Sequence, residues 1–477
     1  MIAPGLVPVA ATLAAAAPAW HAPIAVAAVA PSATATPTTA EAGVDTAERK
    51  RRELYAPSPS AGGNGIAAGF YRAYGRSLTD LEMSSGARLG SLVGRPPAPS
   101  ITEPRAGIGV GPSRGRMIAT LLIVAFLGAA AALAVPSVAR AALPDGYLGI
   151  TTEDAYTGDD AYALTQLQTQ KAMGFTTARQ VFRWNEIEWG DDRFDWSATD
   201  RFVGNAAKAG MRVMPLLQGE PTWSTSRPKG NKSRYLYPPK KAASYAGFGA
   251  AIAARYGANG AFWAAHPELP RVPITTYQLW NEPNLPIYWG GKPNARAYAK
   301  LVIAASKAIR AIDPASVIIS AGIPDSKVGK APLPYLRTMI KAGAGKAINA
   351  VGLHPYAKTP SQSLAISRAM RRTLDRAGGR KIGLWVTEIG WAAGGPRTPK
   401  RTVSVAKQGP VIVSAITKLT AARKQLKLRG IIYYAWRDST VYQGGKDFWG
   451  LHTGLLDLSG KPKPSLDVVR RGLAELR

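Results

Sequence analysis

Short apolar runs alternate with longer amphipathic stretches through residues 143–477. Eight of the runs are five or six residues long and rich in aliphatic, aromatic or β-branched side chains, which predicts buried β-strands. Between them, apolar residues recur at helical spacing, as at Tyr245, Phe248 and Ile252. The predicted strands are Tyr147–Thr151, Thr177–Phe182, Arg212–Leu217, Thr276–Trp280, Val317–Ala321, Ala350–His354, Leu384–Glu388 and Ile431–Trp436.

The regular alternation of strand and helix patterns predicts an α/β fold with a parallel sheet. The strands are apolar almost throughout, as expected when both of their faces are buried. We therefore predict a (β/α)8 TIM barrel for residues 143–477. An open, doubly wound sheet is the alternative. Against it, residues 149–160 (GITTEDAYTGDD) are acidic, whereas a dinucleotide site needs a glycine-rich turn after the first strand.

The amino-terminal part of the chain has a different composition. Residues 1–110 are dominated by Ala, Pro, Ser, Thr and Gly, and they show no sustained helical or strand period. Such a segment buries too little apolar surface to offset the entropy lost on folding. We predict that it is a disordered, low-complexity region.

Residues 111–142 contain an uncharged apolar stretch, Met117–Val135, whose length fits a signal-peptide core or a membrane span. Arg116 precedes it, and Ala139 and Ala141 supply a small-x-small cleavage pattern. These features favour a signal peptide, with an uncleaved anchor or a buried core helix as alternatives. Because the stretch lies so far from residue 1, one hypothesis is that translation starts at or just before Met117.

The location expected from this stretch is secreted or extracellular. The alternative is a membrane-anchored protein with the barrel outside, in which residues 117–135 are the only membrane contact. The chain contains no cysteine, so disulfide and thiolate chemistry are excluded, which is compatible with export.

The chain is strongly basic, with 60 Lys and Arg against 30 Asp and Glu and a formal net charge of +30. Such an excess favours contact with anionic polymers, so an anionic cell-wall polymer is one candidate partner. The alternative is an ordinary solvated basic surface. Nucleic acid is not an expected partner, because the sequence has neither a nucleic-acid-binding motif nor a basic stripe interleaved with aromatic residues.

Two of the predicted strands end in a glutamate among aromatic residues. The run 275–284 (TTYQLWNEPN) ends in Asn281 and Glu282, and the run 381–391 (KIGLWVTEIGW) carries Glu388. In a parallel barrel, the carboxyl ends of the strands meet at one face, where active sites are built. Two carboxyl groups at that face suggest the cleavage of glycosidic bonds.

These motifs resemble those of the clan A glycoside hydrolases, which are cellulase-like (β/α)8 barrels, and more loosely those of glycoside hydrolase family 39. The resemblance extends from Leu143 to about Leu466. WNEPN is similar to the clan's fourth-strand motif and VTEIGW to its seventh-strand motif. The resemblance implies that Glu282 is the acid/base and Glu388 the nucleophile of a retaining glycosidase.

The resemblance also implies substrate-binding residues. Asn281 would bond the sugar's 2-hydroxyl, and Arg179, in the segment ARQVFRWNEIE, would lie beneath the nucleophile. His354 and Tyr356, in HPY, resemble the sixth-strand site, and YYAWRD places Trp436 at the eighth-strand sugar platform. Trp391 lies just beyond the seventh strand, and we expect it to stack on sugar as well.

The chemistry makes demands that can be stated from the residues themselves. The group that protonates the leaving oxygen must be protonated near the working pH, which requires a partly desolvated carboxyl. Trp280, Tyr288 and Trp289 flank Glu282 and would desolvate it. The nucleophile must be ionised, and the opposite charge of Arg179 would favour that form. No cofactor is needed.

Each of these residues also has a purely structural interpretation. Either glutamate alone could form an ion pair at the barrel rim, and His354 could be a core imidazole. The tryptophans could be core residues, although Trp391 and Trp436 lie just beyond strand ends. A metal site is not expected, because no second His or Asp lies at metal-ligand spacing from His354.

Three functional classes fit the sequence to different degrees. The first is a glycosidase acting on a polysaccharide or oligosaccharide. The second is a catalytically silent glycan-binding barrel, which the presence of both glutamates argues against. The third is a membrane-anchored scaffold, which rests only on the charge excess and the apolar stretch. The sugar and the choice between endo and exo attack depend on loops such as the basic segment Ser224–Lys241.

The apolar stretch and the small residues after it predict where the exported protein begins. Mass spectrometry of the secreted fraction should find a protein that starts close to Leu143, because cleavage after Ala141 or Ala142 removes the whole hydrophobic segment. Recovery of the whole chain from membranes would contradict cleavage and support the anchor.

Overall fold

A computed structural model describes residues 143–190, 192–233, 235–398, 401–441 and 446–476. Eight parallel strands form a closed barrel, since each pairs with the next along the chain and the last pairs with the first. The barrel strands are β1 Leu148–Thr151, β2 Thr177–Arg183, β3 Arg212–Gln218, β4 Thr276–Leu279, β5 Val317–Ser320, β6 Ala350–His354, β7 Gly383–Ile389 and β8 Leu428–Tyr433.

A helix follows each barrel strand and leads the chain back to the start of the next. These helices are α1 Asp160–Met173, α2 Ser197–Lys208, α3 Ala242–Tyr256, α4 Ala295–Ile312, α5 Pro332–Lys341, α6 Pro360–Arg376, α7 Val405–Ala421 and α8 Pro464–Ala474. The predicted (β/α)8 barrel is confirmed. Seven strands begin and end within one residue of their predicted bounds, whereas β8 begins three residues early. Arg429, which is exposed, interrupts the apolar pattern there and hid the start of that strand.

Shorter elements decorate the barrel ends. Three short strands lie outside the ring: Glu188–Gly190 pairs antiparallel with Arg193–Phe194, and Ile323–Pro324 pairs with β6. Short helices and helical turns occupy several loops: Glu153–Thr157, Trp184–Ile187, Ala261–Ala265, Pro286–Tyr288, Ala344–Lys346, Arg423–Leu426 and Trp449–His452.

Local sequence signals mark several helix ends. The side chain of Asn294 accepts hydrogen bonds from the first amides of α4, and Thr359 and Gln362 form a capping box at the start of α6. Helix α1 ends at Gly174, whose φ of 109° is a left-handed conformation that favours glycine. Two of these signals lie at the start of the helices that follow β4 and β6, and the third lies at the end of the helix that leads into β2.

The described residues form four buried hydrophobic clusters, and two of these make up the two parts of the barrel core. The larger part lies between the strands and the surrounding helices and includes Leu167, Phe248, Val302 and Leu374. The smaller part fills the barrel interior. One of its members, Met214, lies two residues before Leu216 and therefore on the same face of β3, and Leu216 lines a cavity of the barrel that is described below. Its residues are Met214, Ile319, Ala350, Trp385 and Ile432. This apolar layer forms the floor on which the polar groups at the barrel mouth rest.

The predicted regions 1–110 and 111–142, including the apolar stretch Met117–Val135, lie outside the described residues. Within the part of the chain that is described, no helix combines the length and the apolar character needed to cross a membrane.

Two glycines provide a matched test of barrel packing. In β6, a Cβ at Gly352 would lie 2.6 Å from the carbonyl oxygen of Ser320, so Gly352→Ala should lower the free energy of unfolding by about 1–3 kcal/mol through overpacking. Exposed Gly247 in α3 has no atom within 4 Å of its Cβ position. Gly247→Ala should therefore raise that free energy by about 0.5–1 kcal/mol. Urea denaturation measures both, and a stable Gly352→Ala protein would contradict the close approach of β5 and β6.

Candidate active site

Strand β4 ends at Leu279, and the chain then makes a sharp turn that carries Asn281 and Glu282. Trp280 and Glu282 have left-handed backbone conformations, with φ of 68° and 42°. Such conformations cost about 1–3 kcal/mol each for residues other than glycine, and they persist only where the surroundings hold them. Here the amide of Trp280 donates to the carbonyl of Leu217, and the amide of Glu282 donates to that of Gly322.

Aromatic side chains bury the turn from behind. Trp280 is fully buried, and its indole N–H donates to the carbonyl of Tyr288 at 2.8 Å. Its ring packs edge to face against Tyr245 and Trp289. Only 12% of the Glu282 side chain is exposed. Burial raises the pKa of Glu282, a hydrogen bond to His354 partly offsets the rise, and the charge of Glu388 adds to it.

Glu388 lies near the end of β7 and faces hydrogen-bond donors. One oxygen, Oε1, accepts a hydrogen bond from Nη1 of Arg179 at 2.9 Å, and Oε2 accepts one from the Tyr356 hydroxyl at 2.8 Å. The Arg179 and Glu388 side chains are only 2% and 10% exposed. Burial raises the pKa of the Tyr356 phenol above its ordinary value, so this hydroxyl keeps its proton and donates.

Arg179 connects three strands through its guanidinium. Besides Glu388 on β7, it donates from Nε to Oε1 of Gln278 on β4 at 2.7 Å, and from Nη2 to Oδ1 of Asn281 at 3.4 Å. A planar guanidinium directs its N–H groups in fixed directions, so these contacts fix the relative positions of Glu388 and Asn281. Gln278 was not among the residues predicted from the sequence.

His354, at the end of β6, lies between the two carboxyl groups. Its Nδ1 is 2.7 Å from Oε1 of Glu282 and 3.5 Å from Oε2 of Glu388. The other ring nitrogen packs against Gly322, where a Cβ would lie 1.9 Å away. Only glycine leaves room for the imidazole there, and the same residue accepts the Glu282 amide. Gly322 is therefore a second residue that the sequence analysis missed.

The same cluster of side chains could also be interpreted as a metal-binding site. Glu282, His354 and Glu388 each offer a ligand atom, and these atoms lie within 4.8 Å of one another, close enough for a metal ion. From the sequence no metal site is expected, because no second His or Asp lies at metal-ligand spacing from His354. However, the Arg179 guanidinium at Glu388 would repel a cation, and Tyr356 already donates to the second oxygen. The donor set fits a hydrogen-bonded carboxyl pair better than a metal centre.

A cavity that is open to solvent lies beside Glu388. Its floor includes Arg179, Asn281 and Glu388. Its side walls come from the loops after β1 and β8, which contribute polar side chains and one aromatic ring: Glu153, Asp154, Tyr434, Arg437 and Asp438. Carboxylates, hydroxyls and guanidinium groups in a concave site suit a ligand rich in hydroxyl groups.

The two tryptophans expected to stack on sugar have other surroundings. Trp391 is fully buried and donates its indole N–H to the carbonyl of Ala357 at 2.9 Å. Trp436 is 1% exposed and donates to Oε1 of Gln166 at 2.8 Å. Neither presents a ring face to the cavity in this structure. The aromatic residue that lines the cavity after β8 is Tyr434, which the sequence analysis did not single out.

The remaining predicted residues come together as a group. Asn281, Glu282, Arg179, His354, Tyr356 and Glu388 originate from four strand ends and form one connected set of contacts. The two missed residues that support this set, Gln278 and Gly322, carry no local pattern that marks them, since Gln278 lies within a strand and Gly322 within a short loop.

No protein-family profile and no curated protein matches the chain. A search of solved structures finds a family 39 glycoside hydrolase from the gut symbiont Bacteroides cellulosilyticus WH2, with 16% identity and a TM-score of 0.50 over 69% of this chain. The chain has the barrel fold of that hydrolase. The match covers 64% of the hydrolase chain, so this chain spans less than two thirds of its length.

Two further solved structures are similar to this chain at slightly lower TM-scores. A glucosidase from Croceicoccus marinus has 13% identity and a TM-score of 0.48, over 65% of this chain and 62% of the glucosidase. A GH5_18 protein from Bifidobacterium longum subsp. infantis has 13% identity and a TM-score of 0.49, over 70% of this chain and 80% of that chain. At these identities the likeness concerns the fold.

The raised pKa of Glu282 predicts that this residue lowers the free energy of unfolding as the pH rises. Below the ordinary carboxyl pKa, Glu282 is protonated in both the folded and unfolded states, so it contributes nothing to pH dependence. As pH rises toward the raised folded pKa, the unfolded state ionises first and stability is lost. Glu282→Gln removes this loss. The Glu282→Gln variant should have the same melting temperature as the wild type at acidic pH and a higher melting temperature near pH 8.

Thermal unfolding measured from pH 4 to pH 8 tests this expectation. Glu268→Gln is the control, because its carboxyl is exposed and its pKa is lowered by its own backbone amide and by His266 rather than raised. A Glu282→Gln protein that gains nothing over the wild type as pH increases would contradict the burial argument.

Proposed function

We propose that this protein is a retaining glycosidase that hydrolyses β-linked O-glycosidic bonds in an oligosaccharide or polysaccharide. The observation that carries the proposal is the pair of carboxyl groups at the ends of β4 and β7, with one oxygen of Glu282 and one of Glu388 within 4.8 Å. Retaining glycosidases separate their carboxyl groups by about 5–5.5 Å, whereas inverting ones need about 6.5–9.5 Å to admit a water molecule. The short separation supports retention.

In the first step, an oxygen of Glu388 attacks the anomeric carbon while the bond to the leaving oxygen breaks. Glu282 transfers its proton to that oxygen, so the leaving sugar departs as a neutral alcohol. The product is a glycosyl ester of Glu388. Each carboxylate oxygen has two lone-pair sites, so an oxygen that accepts from Arg179 or Tyr356 keeps another for the attack.

In the second step, the ionised Glu282 takes a proton from a water molecule. The resulting hydroxide equivalent attacks the anomeric carbon, and the Glu388 carboxylate leaves. Glu282 regains its proton, and the two displacements together preserve the configuration of the sugar.

The surroundings of the two carboxyl groups support this division of roles. Burial raises the pKa of Glu282, which favours the protonated form that a general acid needs. Glu388 faces a guanidinium and a hydroxyl donor, both of which bind a carboxylate well. His354 contacts Glu282 directly and is placed to help it gain and lose a proton.

We also propose that the enzyme acts outside the cell, either secreted or anchored in the membrane. The apolar stretch Met117–Val135 motivates this part of the proposal. The basic charge of the chain would then promote contact with anionic wall polymers, with the carbohydrate substrate held in the cavity.

Removing each carboxyl group should have a different effect on activated substrates. With a panel of 2,4-dinitrophenyl β-glycosides, Glu388→Ala should abolish turnover, because no nucleophile remains. Glu282→Ala should still release the dinitrophenolate, which needs no proton, but should lose about 10²–10⁴-fold activity on unactivated glycosides. Azide should then accelerate turnover of the Glu282→Ala protein and yield a β-glycosyl azide.

Glu268→Ala, which removes an exposed carboxyl group, serves as the control and should match the wild type. Nuclear magnetic resonance of the first-formed product measures the stereochemistry. An α-configured product from the intact enzyme would contradict the nucleophilic role of Glu388. Binding of β-glycans without any turnover would instead favour the silent glycan-binding barrel.

A further inference from the structure

The cavity beside Glu388 lies on one side of the proposed cleavage point. Its lining includes Glu388, Arg179 and Asn281, whereas Glu282 is not among its lining residues. On the proposed function, the leaving group must lie next to the acid Glu282, and the sugar attacked by Glu388 must lie over Glu388 and Asn281. The cavity therefore receives the glycone, the part of the substrate that lies toward its non-reducing end.

A hydrogen-bonded bridge connects two residues of the cavity wall, Asp154 and Arg437, through Tyr162. Nη1 of Arg437, in the loop after β8, donates to the Tyr162 hydroxyl at 3.0 Å, and that hydroxyl donates to Oδ2 of Asp154 at 2.7 Å. Asp154 and Arg437 both line the cavity, and Tyr162 belongs to α1. We call Asp154, Tyr162 and Arg437 the end bridge. It ties the loop after β1 to the loop after β8.

The end bridge is braced from outside. The second guanidinium nitrogen of Arg437 donates to the carbonyl of Leu458 at 2.6 Å, and Leu458 also lines the cavity. The next residue, Asp438, forms an ion pair with Lys463 at 2.6 Å, with 10% and 12% of the two side chains exposed. The segment before α8 therefore holds the loop after β8 against the cavity.

Helix α1 holds the same loop at a second point. Gln166 lies one helical turn after Tyr162 and accepts the indole N–H of Trp436 at 2.8 Å. Trp436 and Arg437 are consecutive, so two adjacent residues of the loop are bonded to one face of α1. This gives buried Trp436 a definite role, which is to position the bridge rather than to stack on a sugar.

A polymer that passed through the cleft would have to run between the loops after β1 and β8. The end bridge joins those loops with charged and neutral hydrogen bonds, and its partly buried groups would lose their partners if it opened. We propose that the cavity is a closed terminal pocket. The enzyme would then remove sugars from the non-reducing end of a chain, which is exo attack.

The test uses linear pentasaccharides of β-1,3-glucose, β-1,4-glucose, β-1,4-mannose and β-1,4-xylose, labelled with 2-aminobenzamide at the reducing end. Each is prepared with a free non-reducing end and with a bulky benzyl ether there. Chromatography should show labelled products that shorten stepwise from the free end of at least one probe. The capped form of that probe should be cleaved at least about 100-fold more slowly.

The possible results separate this inference from the proposed function. Comparable cleavage of capped and free forms, or a mixture of internal fragments at early times, would overturn the terminal pocket while leaving the glycosidase in place. No cleavage of any free-ended probe, together with no turnover of activated aryl glycosides, would overturn the proposed function and this inference with it.

Variants of the end bridge test its role in the closure. Arg437→Ala should raise the rate on capped relative to free probes at least about 10-fold, and the milder Tyr162→Phe should raise it by less. Arg470→Ala, which removes an exposed arginine paired with Asp467 on α8, should leave the ratio unchanged. Thermal unfolding checks that each variant is folded. An unchanged ratio in both folded bridge variants would overturn the assignment of the closure to these residues.

Discussion

Arg179 and Glu388 form an ion pair that is almost wholly removed from water. A buried charge without its partner is strongly destabilising, so each of these side chains is tolerated only because the other is present. The pair joins β2 to β7, and the remaining donors of Arg179 reach Gln278 and Asn281 on and after β4. The Arg179 guanidinium must keep its hydrogen-bond partners. This requirement fixes the relative positions of β2, β4 and β7 directly beneath the barrel mouth.

The other carboxyl group is held by different means. Glu282 sits on a strained turn, with aromatic rings behind it and one imidazole in front. The backbone of Gly322 supports both the turn and the imidazole, because it accepts the Glu282 amide and leaves space for the His354 ring. Two carboxyl groups less than 5 Å apart thus have unlike environments, which is the condition for giving them unlike roles.

The sequence predicted the barrel well because parallel strands buried on both faces leave long apolar runs. It also predicted the residues that carry the charges, since Glu282 and Glu388 stand out at the ends of such runs. It did not predict which residues support them. Gln278 and Arg179 are 99 residues apart, so their contact exists only once the barrel has closed, and no local pattern announces it.

The two tryptophans expected at the site show the same limit of prediction from local sequence. An aromatic residue after a strand end suits either a sugar platform or a core position, and only its neighbours decide between them. Trp436 finds an acceptor in Gln166 on α1, and Trp391 finds one in the carbonyl of Ala357, so both indoles turn inward. Tyr434, two residues earlier than Trp436, is among the residues that line the cavity.

The end bridge joins residues that lie far apart along the chain, since Tyr162 and Arg437 are 275 residues apart. It joins the first strand–helix unit to the last, and the floor of the cavity likewise combines residues from β2, β4 and β7. A nascent chain that emerges from its amino terminus therefore carries the turn after β4 long before it can build the cavity beside it. On the proposed function, the ability to hold a substrate would arrive only with the final strand, which would couple activity to completed synthesis and folding.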